Sequence, residues 1–156
     1  MSKPGKMSKP GKTRRRQERT AMNLSDTLKI SASGMAAQST RLRVIAENLA
    51  NADTTGATPG AKPYQRQTVT FGERVDQASG VPLVTVTGVR PDTSAFPLRY
   101  DPANPAANAQ GYVRMPNVNM FAEMTDMRQA QRSYDANLEV MQIARGMLTR
   151  AIGILK

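Results

Sequence analysis

MFAEMTDMRQAQRSYDANLEVMQIARGMLTRAIGILK, Met120 to Lys156, is the stretch that decides the fold. Met120, Met127, Tyr134, Met141, Leu148 and Leu155 recur every seven residues, and Met124, Leu138 and Ile152 form an interleaved row in which Gln131 and Arg145 are the polar interruptions. That spacing puts both rows on one side of an α-helix and predicts a partner helix. The partner candidate is at the other end of the chain, where Leu28, Met35, Leu42 and Leu49 also recur every seven, supported by Leu24, Ala32, Ile45 and Ala46. The plan is helix, irregular middle, helix.

Each helix carries more apolar surface than one partner covers. Ile30, Ala37 and Val44 make a second stripe on the first helix, and Val140, Met147 and Ile154 make one on the second. A helix that is apolar on most sides is buried on most sides, which a two-helix hairpin cannot achieve. The pattern therefore predicts a subunit whose terminal helices pack against neighbouring copies, with assembly rather than chemistry as its function. The fold class is mainly α with a small β-rich insert.

Composition narrows the alternatives. The 156 residues include no Cys, no His and no Trp, and only seven aromatics against ten Pro. Disulfides and thiolate metal sites are excluded, and the usual general base and commonest metal ligand are missing. No acidic pair stands out from solvated helix faces, so no enzyme, cofactor or metal site is expected. The net charge of +10 is concentrated at the start, where Met1 to Ala21 holds eight basic residues against Glu18 alone. A tandem MSKPGK repeat, with Pro and Gly opposing helix and nothing apolar to bury, predicts a disordered basic extension over residues 1–21. It lacks the apolar core of a secretory signal, and the chain has no transmembrane run. The basic extension supports a runner-up, a coiled-coil nucleic-acid-binding protein; the unremarkable charge balance of the remainder disfavours nucleic acid as a partner.

The N-terminal helix is expected over residues 22–52, capped by Ser25 or Asp26, and closed by NADTTGATPGAKP, Asn51 to Pro63. Residues 53–116 form a loop and small β-rich insert, with strands at Gln67 to Phe71, Pro82 to Thr87, Leu98 to Tyr100 and Gly111 to Val113. The C-terminal helix follows over residues 117–156, capped by Asn117 or Asn119. At 1.5 Å per residue, Asp26 to Ala50 would be about 38 Å long and Val118 to Leu155 about 57 Å, so the C-terminal helix is expected to be the longer. The small-residue run SASGMAAQS fits either plain helix propensity, Ala being a good helix former, or close approach of several helices, which Gly34 favours because glycine inside a helix costs about 1 kcal/mol relative to alanine. Asn48 and Asn51 fit a helix end, since Asn tolerates the left-handed conformation.

Three segments resemble the flagellar basal-body rod proteins, and within them the proximal-rod type. They are ISASGMAAQSTRLRVIAENLANADTT (Ile30 to Thr55), PYQRQTVTF (Pro63 to Phe71) and GYVRMPNVNMFAEMTDMRQAQRSYDANLEVM (Gly111 to Met141). Met1 to Ala21 and the loop Gly56 to Lys62 depart from the family pattern. The resemblance implies terminal helices that pair as a coiled-coil domain and stack helically around a central export channel. It implies termini that order on assembly, and export by the flagellar type III apparatus without a cleavable signal peptide. The implied partners are copies of itself, other rod subunits, the rod-to-membrane-ring junction and the export apparatus. The expected assembly and coiled-coil interface comprises Leu28, Met35, Leu42, Ile45, Leu49, Met120, Met124, Met127, Tyr134, Leu138, Met141, Leu148, Ile152 and Leu155.

Overall fold

A computed structural model describes residues 12–154, with side chains described from residue 24 to residue 154. Two long helices flank two small sheets, in the order α1 Lys12–Ala50, β1 Gln67–Val75, β2 Pro82–Pro91, β3 Leu98–Tyr100, β4 Tyr112–Arg114 and α2 Met120–Gly153. Mainly α with a β insert is thus the observed class. Of the expected basic extension, residues 1–11 lie outside the described residues.

The N-terminal boundary needs correction. Helix α1 starts at Lys12, so residues 12–21 are helical and neither Ser25 nor Asp26 is a cap. The local reason is composition: TRRRQERTAM contains neither Gly nor Pro and is dominated by residues that lose little freedom in a helix. With 39 residues against 34, α1 is the longer helix, about 58 Å against about 51 Å. The expected length order is reversed. Asn119 caps α2 as anticipated, its side-chain oxygen accepting from the N–H groups of Phe121 (3.1 Å) and Ala122 (3.2 Å). Glu123 in the first turn and Arg150 in the last suit the helix dipole.

The helices run antiparallel. Asn48 meets Glu123, Arg41 meets Asp126 and Gly34 meets Asn137, so the α1 position falls as the α2 position rises. Strands β1 and β2 form an antiparallel hairpin with an irregularity between Thr70 and Phe71. Thr70 faces Gly88 and Phe71 faces Val86, which leaves Thr87 as the extra residue of a bulge. The Thr87 hydroxyl bonds back to the Thr70 carbonyl at 3.1 Å, and its methyl occupies the space that a side chain at Gly72 would need. All four anticipated strands are present, β1 and β2 extending several residues further.

The hairpin lies on α1 and covers Ala37 and Val44, which are buried within the single chain. This corrects the expectation that the second α1 stripe waits for a neighbouring subunit, although Ile30 remains exposed. Polar contacts fix the placement: the Val84 N–H donates to Ser33 Oγ at 3.3 Å, and Lys29 Nζ reaches Asp76 in the hairpin turn at 2.7 Å. Strands β3 and β4 make the second sheet, packed through Val113 onto Met115 and Ala106. No helix among the described residues is long and apolar enough to cross a membrane.

The hairpin latch should respond to acid. Lys29, then the Ser79 hydroxyl, lower the Asp76 carboxyl from 3.8 to about 2. A depressed folded value means the stabilisation is complete above pH 3.8 and lost as pH falls through about 2. An NMR titration following Gly80 should therefore show a midpoint near 2 that disappears in Asp76→Asn; a midpoint at the ordinary carboxylate value would contradict the latch.

Candidate functional site: the helix clasp and the uncovered faces

Where α1 ends and α2 begins, a buried polar cluster joins four elements. Glu123 is 1% exposed. Its Oε1 accepts from Arg66 Nε at 2.6 Å, and its Oε2 accepts from Asn48 Nδ2 at 3.1 Å. Asn48, also 1% exposed, donates to the Gln67 carbonyl (2.9 Å) while its oxygen accepts from the Gln67 N–H (2.8 Å) and the Tyr64 hydroxyl (3.0 Å). One side chain on α1 thereby holds the first residue of β1 by both backbone groups, as a neighbouring strand would. The helix-end reading of Asn48 gives way to a clasp; Asn51 does serve the helix end, donating to the Glu47 carbonyl at 2.8 Å.

Arg66 spreads the connection. It also approaches Asp92 (3.4 Å) and Asp126 (3.9 Å), and its backbone N–H donates to Asn117 Oδ1 at 2.8 Å. Asn117 in turn donates to the Asp92 carbonyl and to Ser94. Burial works against the Arg66 charge, but Glu123 and then Asp92 outweigh it and raise the guanidinium above its ordinary value. Burial, followed by Glu47 and Glu123, raises the Tyr64 hydroxyl, which keeps it a neutral donor to Asn48. A buried carboxylate is tolerable only when paired and hydrogen-bonded, and this one is both.

Further along, one of the two rows of the helix seam is made of small or polar residues. The α2 residues that face α1 follow 4-3 spacing: Glu123, Met127, Ala130, Tyr134, Asn137, Met141, Ala144, Leu148 and Ala151 are all buried or half-buried. The row Met127, Tyr134, Met141, Leu148 was legible in the sequence. Its companion is Glu123, Ala130, Asn137, Ala144, Ala151, one residue away from the expected Met124, Leu138 and Ile152, which are exposed at 45%, 37% and 55%. Met120 is exposed as well, and Leu155 lies outside the described residues. On α1, Ile45 is buried while Leu28, Met35, Leu42 and Leu49 are half-buried. The seam uses Gly34, where an added Cβ would come within 2.9 Å of Asn137, together with Arg41, which pairs with Asp126 at 3.1 Å. Small residues permit close approach, so the large apolar residues of the heptads are turned partly or wholly outward.

No cluster of metal-ligating side chains occurs among the described residues. The described residues form a two-helix scaffold locked at one end, with uncovered apolar faces.

Residues 28–58 match the family model described as flagella basal body rod protein, and residues 109–154 match the one described as flagellar basal body rod FlgEFG protein C-terminal. The flagellar basal-body rod protein FlgC of Agrobacterium fabrum is 53% identical over 133 residues, covering 85% of this chain and 96% of that protein. FlgC of Salmonella typhimurium is 41% identical over 133 residues (84% and 97%), and FlgC of Bacillus subtilis 38% over 145 residues (83% and 97%). The chain belongs to the FlgC family of flagellar basal-body rod proteins. These are structural proteins, and the chain is not an enzyme. The two matched segments are the ones the clasp joins, Asn48 lying in the first and Glu123 in the second.

Two outcomes follow from the clasp and the seam. Glu123→Ala, which removes the partner of Arg66 Nε and of one Asn48 amide proton, should cost about 3 kcal/mol in denaturant unfolding. Asn48→Asp should also be severe despite equal size, because it removes two donors and sets a second carboxylate beside Glu123; wild-type stability in either variant would contradict the clasp. Gly34→Ala should destabilise the native chain but stabilise an Asn137→Ala background by up to about 1 kcal/mol, the helix-propensity gain. Equal effects in both backgrounds would show that the contact at Gly34 is not limiting.

Proposed function

We propose that this chain is a structural subunit of the flagellar basal-body rod, in which the paired terminal helices form a coiled-coil layer and stack helically with neighbouring subunits around a central channel, so that torque passes through packed helices. The end-to-end similarity to FlgC proteins carries the reading. The distribution of apolar surface supports its mechanism: Phe121, Val140, Ile143, Met147, Ile152 and Ile154 on α2 are all more than 40% exposed in the isolated chain. Assembly removes that area from water and supplies the cover a two-helix hairpin lacks. The interface residues expected from the heptads, with copies of the chain and other rod subunits as partners, belong to this proposal, as do the membrane-ring junction and export by the flagellar type III apparatus.

The test is location. Antibody against the chain should label the rod of purified basal bodies, and cells lacking the gene should be non-motile and regain swimming when it is restored. A chain confined to the cytosol, or basal bodies complete without it, would overturn the proposal.

A further inference from the structure

Opposite kinds of surface lie uncovered on the two helices. On α2, Val140, Ile143 and Met147 are 44%, 49% and 47% exposed and follow 3-4 spacing on a face flanking the seam. On α1, Ser39, Ala36 and Ala32 are exposed and follow the same spacing in reverse, on the side away from α2, with Ala36 bordering the groove between α1 and the hairpin beside Ala37 and Val84. Within one chain these surfaces cannot meet, since both point outward from a pair whose register joins Gly34 to Asn137.

Between two copies oriented alike, the α2 of one runs antiparallel to the α1 of the next, and one register satisfies size and charge together. With Ile143 opposite Ala36, Val140 falls opposite Ser39 and Met147 opposite Ala32, each large side chain against a small one. The same register puts Arg43 between Asp135 and Glu139, and Glu47 opposite Arg132. All five charged side chains are exposed, and Arg43 and Glu47 already lie as an ion pair on the α1 surface. It also brings Arg150 level with Lys29, whose charge is taken up by Asp76. A shift of one heptad would set Ile143 against Arg43 and leave the acids without their cation. Relative to the pairing inside the chain, the register is offset by eight residues, about 12 Å along the axis.

We propose that the Val140–Ile143–Met147 face of α2 docks on the Ala32–Ala36–Ser39 face of α1 of a second copy of this chain. Different surfaces meet, so the contact is heterologous: every copy keeps one donor face and one acceptor face, and the contact propagates in one direction as a polar assembly requires. The inference rests on the rod reading and specifies which faces of the subunit carry it.

The absence of native cysteine makes the register directly testable. A disulfide forms only when two Cβ atoms approach to about 4 Å. Ala36→Cys with Ile143→Cys, oxidised in purified basal bodies, should convert the 17.0 kDa subunit into dimers and longer ladders. Ala36→Cys with Arg150→Cys, one heptad out of register, should remain monomeric. Incorporation of both variants with no ladder from the first, or equal ladders from the two, would overturn the docking proposal while leaving the rod reading intact. Absence of the native chain from basal bodies would overturn the rod reading itself.

Discussion

Everything at the loop end of this molecule depends on one buried carboxylate. Glu123 has given up water for two partners, Arg66 from the segment entering β1 and Asn48 from α1, and Asn48 is committed to the β1 backbone through Gln67. Removing the Glu123 carboxylate takes a partner from both Arg66 Nε and Asn48 Nδ2, and removing Asn48 leaves the backbone groups of Gln67 and one Glu123 oxygen without the bonds they make here. That asymmetry, in which making a buried polar bond stabilises modestly and leaving one unmade costs much more, turns a short-range network into an alignment device. It ties the end of α1, the start of α2 and the entry to β1 to one another.

The clasp also explains an otherwise wasteful seam. Two helices held at one end by polar groups depend less on hydrophobic attraction between them, and three of the nine α2 residues facing α1 are alanine. Gln38 Oε1 is shut away from solvent without a hydrogen-bond partner among the described residues. Large apolar side chains are placed instead on outward faces, which a solitary folded protein would not tolerate over so great a length. On this account the subunit is built as half of a structure: local polar contacts set its shape, and burial of the remaining area belongs to the assembly.

Much of this was legible in the sequence, because the signals were local. The heptad Met127, Tyr134, Met141, Leu148, the Asn119 cap and the four strand positions all follow from spacing and turn chemistry. The companion seam row was missed because a search for large apolar residues passes over Glu123, Ala130, Asn137, Ala144 and Ala151, although they recur every seven residues with equal regularity. The start of α1 was misplaced because the Pro and Gly of the MSKPGK repeat, with no apolar residue to bury, were taken to govern all of residues 1–21, whereas the Arg and Gln that follow the repeat, without Gly or Pro, are good helix formers. The clasp itself was invisible. Arg66, Asn117 and Glu123 belong to different elements, and only the tertiary fold reveals that a carboxylate beside Asn119 sits in the interior rather than on a solvated first turn. A buried Asn beside a helix end is the one hint that spacing could have offered.

The most direct test compares the surface of the free subunit with that of the assembled one, and the methionines report it. Hydroxyl-radical footprinting should find Met147, 47% exposed, and Met124, 45% exposed, readily oxidised in the isolated chain, while Met115, 8% exposed, stays protected throughout. In purified basal bodies Met147 and Met124 should become as resistant as Met115. Equal oxidation of Met147 and Met124 in the free chain and in basal bodies would mean that these faces remain in water after assembly, and the account of a subunit completed by its neighbours would be wrong.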